Sequence, residues 1–153
     1  MDRPRARVTH AVDASPEDVF AFLSDLGNHW RLASGVVEIA EVDGAAAGGG
    51  TIELHGPLGL TRLARTRIAQ AVAPADGVGG VIEGTAETPA GTLVRIAWNL
   101  TPAPRGTRIA LELVVERATT VDRFLLALGA RRWLERRLLE RALADLEQNL
   151  QRR

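Results

Sequence analysis

Six successive stretches between residues 36 and 117 read as strands, and the connections between them are short. They lie near 36–42, 50–56, 60–72, 80–88, 92–101 and 107–117. Pro74-Ala75-Asp76-Gly77, Pro89-Ala90-Gly91 and Pro102-Ala103-Pro104-Arg105-Gly106 mark three of the turns, and the run from Gly44 to Gly50 makes a hairpin connection. The last stretch alternates cleanly, with Ile109, Leu111, Leu113 and Val115 on one side. A parallel partner would require a crossover of a dozen or more residues. Short connections therefore predict an antiparallel meander, which has an apolar face to cover.

The rest of the chain supplies the cover. Residues 5–12 alternate with Val8, His10 and Val12 on one face, a first half-buried strand. Ser15 then precedes Pro16, Glu17 and Asp18: an N-cap, a residue suited to the first helical position, and acids in the first turn. Val19, Phe22, Leu23 and Leu26 recur at helical spacing, Gly27 ends that helix, and Asn28 can cap a second short one carrying Trp30 and Leu32. From about Thr120 to Gln151 the spacing predicts one long helix with a bend at Gly129. The expected class is α+β: a seven-stranded antiparallel sheet wrapped around a long C-terminal helix, with two short helices after the first strand and residues 1–153 in one domain.

At about 100° per residue, Val121, Phe124, Leu125 and Leu128 share a face with Leu139, Leu143, Leu146 and Leu150. Arg132 and Glu135 fall in the middle of that face. Buried polar groups need partners. Either these two pair with each other, or they look into a wet or ligand-filled hollow, or the bend at Gly129 turns both to solvent. Leu126 and Trp133 lie off the stripe and would form a small patch for a weak homodimer.

Composition narrows the chemistry. The 19 basic residues balance 19 acidic ones, so no global field draws the chain to nucleic acid. The basic residues are all arginine, and lysine, tyrosine and cysteine are absent, which removes Schiff-base, phenol and thiolate chemistry. The three histidines show no metal-ligand spacing, and no nucleophile elbow or Ser-His-Asp pattern is present. No cofactor and no metal are expected. No apolar run approaches a membrane span and no apolar stretch follows the first residues, so a cytoplasmic location is expected.

The order of elements carries a resemblance. Its pieces are Ala14-Ser15-Pro16-Glu17-Asp18-Val19-Phe20, Asp25-Leu26-Gly27-Asn28-His29-Trp30, Trp98-Asn99-Leu100-Thr101-Pro102, Gly106-Thr107-Arg108 and Leu143-Ala144-Asp145-Leu146. In order and spacing these pieces, spread over nearly the whole chain, resemble the helix-grip fold of the START and birch-pollen-allergen (SRPBCC) superfamily. The nearest branch is similar to the polyketide cyclase/dehydrase and lipid-transport families. The resemblance implies a cavity between the sheet and the long helix. It matches Trp30 to a tryptophan at the cavity mouth and Trp98 to another on the sixth strand. Alternation sets Arg65 and Arg67 on the strand face of Leu63; the resemblance implies that an arginine near Arg67 points into the cavity, whereas the density of arginines on this stretch fits a solvated convex face. The cavity tyrosine of the related cyclases has no counterpart, and Val37 sits near its place.

The candidate ligand-binding residues are therefore His10, Trp30, Arg65, Arg67, Trp98, Arg132 and Glu135. Candidates for proton transfer are His10, His29, His55, Glu53 and Glu135, with His10 the best placed on a half-buried strand. The leading expectation is binding or transport of a small hydrophobic molecule: a polyketide, lipid or aromatic metabolite. The second is a cyclase or dehydratase acting on a poly-β-keto chain. The third, by resemblance to a carbon monoxide dehydrogenase subunit family of the same fold, is partner or membrane recruitment. The missing tyrosine favours the first over the second.

Overall fold

The computed structural model describes residues 3–29, 31–33, 35–42, 48–56 and 59–153. The strands are β1 (Arg5–Val12), β2 (Val37–Val42), β3 (Gly49–His55), β4 (Thr61–Val72), β5 (Gly80–Glu87), β6 (Leu93–Ala103) and β7 (Gly106–Arg117). They form one sheet in the order β1-β7-β6-β5-β4-β3-β2, and every neighbouring pair is antiparallel. Chain order and sheet order thus agree from β2 to β7, as short connections require. The first strand joins last, beside β7. Register shifts within the β2–β3, β4–β5 and β6–β7 pairs mark bulges, which sharpen the bend of the curled sheet.

Two short helices, α1 (Pro16–Ser24) and α2 (Leu26–His29), link β1 to β2. The Ser15 hydroxyl accepts from the Asp18 N–H at 3.1 Å, the cap expected from the sequence. The second helix begins at Leu26 rather than at Asn28, so Gly27 lies inside it instead of ending the first. Most of the expected Gly44–Gly50 connection falls outside the described residues. Val19 and Leu23 on α1 are fully buried with Ile82, Leu100, Ile109 and Leu146. On the opposite face of the sheet Arg95 lies between Glu83 and Glu116, at 3.5 and 3.1 Å, as suits a solvated surface.

The C-terminal helical run covers the inner face. It consists of α3 (Thr120–Leu125), a π-helical stretch Leu126–Ala130, α4 (Arg131–Trp133), a second π-helical stretch Leu134–Leu139, and α5 (Glu140–Gln151). Gly129 has φ 106°, a value favoured only by glycine, so the ladder breaks there. These irregularities rotate the first half of the run away from the face expected for a straight helix. Val121, Phe124 and Leu128 are exposed, while Leu139, Leu143 and Leu146 are buried as expected. The inward positions recur every fourth residue: Asp122, Leu126, Ala130, Leu134, Leu138, Ala142 and Leu146. An α-helix with 3.6 residues per turn drifts off such a row by about 40° per step. The π-helical stretches, with more residues per turn, take up that drift. Among the described residues, no helix is long and apolar enough to cross a membrane.

Candidate functional site

Between the sheet and the C-terminal helices lies a cavity of about 280 Å³. Strand alternation builds its wall. Val94, Ile96 and Trp98 face it from β6, Leu111, Leu113 and Val115 from β7, and Ile52 and Leu54 from β3. Leu126, Trp133, Leu134 and Leu138 close it from the helix side. Such a lining gives water few hydrogen-bond partners and suits an apolar occupant.

Two polar groups of residues interrupt this wall. At one end Arg62 of β4 pairs with Asp122 of α3, Nη2 to Oδ1, at 2.7 Å. The Thr92 hydroxyl donates to the other carboxylate oxygen of Asp122. Thr92 Oγ1 in turn accepts from the Thr119 N–H at 3.3 Å, and the Thr119 hydroxyl caps α3 by accepting from the Asp122 N–H at 3.2 Å. Asp122 is 8% exposed, and the contacts with Arg62 and Thr92 tie the helix start to the sheet side of the cavity. A buried carboxylate with an arginine and a hydroxyl on its two oxygens is satisfied in place.

The second group lies six residues further on, along β6, at most about 20 Å away. Trp98 is 3% exposed, and its indole Nε1–H is buried without a hydrogen-bond partner. His29, at the end of α2, meets it edge-on: the ring centroids are 5.5 Å apart at 75°. His29 Nδ1 lies 3.1 Å from the Leu23 carbonyl oxygen. A carbonyl only accepts, so Nδ1 carries the proton and Nε2 keeps its lone pair. Burial holds the His29 pKa below its ordinary 6.5, opposed in part by the Leu23 contact, so the ring is neutral. Both rings line the cavity.

The residues expected at the site are only partly gathered there. Trp98 lines the cavity. Arg67 borders it, but as an exposed residue. On β4 it is Arg62, Ala64, Thr66 and Ile68 that alternate inward, while Leu63, at 48% exposure, and Arg65 face out. His10 is on the half-buried face of β1, but its Nε2 is held by Glu147 at 2.7 Å, away from the cavity wall. Arg132 is exposed, and Glu135 pairs at 3.4 Å with Arg131, one turn back, so the break at Gly129 has turned both from the hollow. Trp30 lies outside the described residues.

Leu126 and Trp133, expected as an outward patch, instead line the cavity. Arg62, Thr92 and Asp122 are not among the residues that the sequence singles out, and His29 stands there only as one of several scattered proton carriers. Away from the cavity, Glu38 and Glu53 stand opposite each other on β2 and β3. His55 Nε2 lies 3.4 and 3.6 Å from their carboxylates, and the three ligand atoms fall within 4.8 Å of one another. Spacing along the chain could not show this trio, because strand pairing assembles it.

The sequence matches the family described as polyketide cyclase / dehydrase and lipid transport over residues 3–151. The chain belongs to that family. No curated protein matches it. Among solved structures it is similar to the KanY protein, with a TM-score of 0.72 and 19% identity over 99% of each chain. It is also similar to TTHA0849 from Thermus thermophilus, with a TM-score of 0.63 and 17% identity over 97% of this chain and 98% of that one. DynU16, a protein of the dynemicin biosynthetic locus, gives a TM-score of 0.53 at 16% identity, over 96% of this chain and 47% of that one. At such identities these likenesses establish the helix-grip fold, and membership of the polyketide cyclase/dehydrase and lipid-transport family rests on the sequence match.

Proposed function

We propose that the protein binds, and by releasing it carries, one small hydrophobic molecule in the cavity between sheet and C-terminal helices. The observation that carries this reading is the cavity of about 280 Å³ walled by apolar side chains from β2 to β7 and from the helix run. Its size and lining suit a polyketide, an aromatic metabolite or a lipid chain. Membership of a family named for both cyclisation and lipid transport supports the same class of ligand.

A catalytic reading is favoured by one observation. A neutral imidazole, His29, lines the same cavity with an open lone pair, as a general base requires. Against it, Arg62 is already committed to Asp122, and Arg67 is exposed. Among the described residues no buried cationic group of the wall is thus left over to stabilise an enolate, and we favour carriage. The recruitment reading loses its patch, since Leu126 and Trp133 face inward.

Native mass spectrometry of the protein purified from its own host tests the proposal. The expected result is a complex heavier than the chain by one small molecule, released on denaturation into an organic phase. A protein that emerges empty, and takes up none of a panel of naphthalene-sized and acyl-chain compounds, overturns it.

A further inference from the structure

We propose that the molecule held in the cavity carries a hydroxyl group, which docks between Trp98 and His29 by accepting from the indole N–H and donating to the imidazole Nε2. This rests on the binding reading above and names the chemical class that the cavity selects.

Trp98 and His29 form an incomplete pair. A buried N–H without a partner is costly, and nearly all buried donors in folded proteins have one. Trp98 Nε1 is buried and has none, although the residue is 3% exposed and forms part of the cavity wall. The protein therefore leaves one donor for an occupant to satisfy. His29 leaves the complementary acceptor. Its Nδ1–H is spent on the Leu23 carbonyl at 3.1 Å, so only the Nε2 lone pair remains. One donor and one acceptor on rings whose centroids are 5.5 Å apart define what can satisfy both.

A hydroxyl oxygen accepts and donates at once. A ketone or ether would satisfy Trp98 alone and leave Nε2 facing an acceptor. An ammonium would set its hydrogens against the indole N–H. A carboxylate would be drawn by Trp98 but repelled by the Nε2 lone pair. The inward arginine of β4, Arg62, stands at the far end and is already paired with Asp122, and Arg67, at the cavity border, is exposed, so neither is a buried counter-ion for it. The walls around the pair are apolar, with Ile82 and Leu111 nearby in the core, so the rest of the ligand is a hydrocarbon or aromatic body.

Three probes of one shape separate the possibilities: naphthalene, 2-methoxynaphthalene and 2-naphthol, measured by displacement of N-phenyl-1-naphthylamine from the folded protein. We expect 2-naphthol to bind about tenfold tighter than naphthalene, the worth of a well-made buried hydrogen bond, with the methyl ether between them. Trp98→Phe should bring the two oxygenated probes close to naphthalene. His29→Phe should remove the advantage of 2-naphthol over its ether.

If all three probes bind equally, or naphthalene binds best, the hydroxyl assignment is wrong while the cavity reading stands. If the ether matches 2-naphthol, His29 reads no proton and the assignment is also wrong. If the fluorophore itself does not bind, the cavity reading is what fails. The ratios in the unaltered protein decide the matter even where a variant does not fold.

Discussion

Arg62 and Arg67 stand five residues apart on β4 and are expected to matter very differently. Arg62 neutralises Asp122 inside the wall, so Arg62→Ala leaves a buried carboxylate with one partner removed and should cost about 3 kcal/mol in urea unfolding. The double variant Arg62→Met with Asp122→Leu should recover most of that loss, because replacing both partners removes the unpaired charge. Arg67→Ala should stay within about 0.5 kcal/mol, as for an exposed side chain. An Arg67→Ala loss as large as that of Arg62→Ala would refute this division of the strand. Sequence alone leaves the two faces of 60–72 open, because Leu63 invites an inward placement of its face while the arginines beside it invite a solvated one. It is Leu63 that is exposed, and the small residues Ala64 and Thr66 that are buried. Small side chains on an inward face leave room for a ligand, and hydrophobicity alone does not flag them.

His29 makes a second prediction through its titration. Its folded pKa lies below the ordinary 6.5 because burial disfavours the charged ring. As pH falls through 6.5 the unfolded chain gains a proton that the folded chain does not. The stabilisation is therefore whole above that pH and is lost as pH falls below it. Unfolding free energy measured against pH should drop more steeply below 6.5 for the natural protein than for His29→Phe. Equal slopes would mean that the ring protonates as readily in the folded state. From sequence His29 can be named as a proton carrier but not placed, since only the fold sets it edge-on against Trp98, 69 residues further along the chain.

The strands and the helix run are legible in the sequence to different degrees. Each strand lies within a residue or two of its expected limits, because a two-residue alternation cannot drift: a side chain is on one face or the other. The order of elements follows from connection lengths. A helix face is cumulative, and two π-helical stretches and a glycine at φ 106° spoil the reckoning for its first half. The sequence does contain the better signal, a row of Leu126, Ala130, Leu134, Leu138, Ala142 and Leu146 at every fourth position. That row is not α-helical in period and announces an underwound helix.

Two substitutions check this. Trp133→Ala should weaken probe binding several-fold by removing cavity wall, whereas Leu128→Ala, at a position 68% exposed, should leave it unchanged. Gly129→Ala should cost at least about 1 kcal/mol in stability, since a Cβ is strained at that backbone angle even with open space around it. If Leu128→Ala proves the damaging change, the straight-helix face is the true one.

The molecule as a whole is a sheet and a helix run that meet around a hollow rather than in a solid core. Packing is dense at one end, where Leu23, Ile109 and Leu146 are fully buried, and gives way to open volume beside Trp98 and beneath the broken helix. A core of this kind surrenders dispersion contacts that an occupant can restore. The protein should therefore gain thermal stability with ligand in proportion to RT ln(1 + [L]/Kd). The central claim is that the hollow takes up one apolar molecule, and titration of the folded protein with N-phenyl-1-naphthylamine tests it most directly. The expected result is saturable binding of one dye per chain, lost in an Ala64→Phe variant that still unfolds cooperatively but has its cavity filled from β4. Fluorescence that rises without saturation, or binding unchanged by Ala64→Phe, would contradict it.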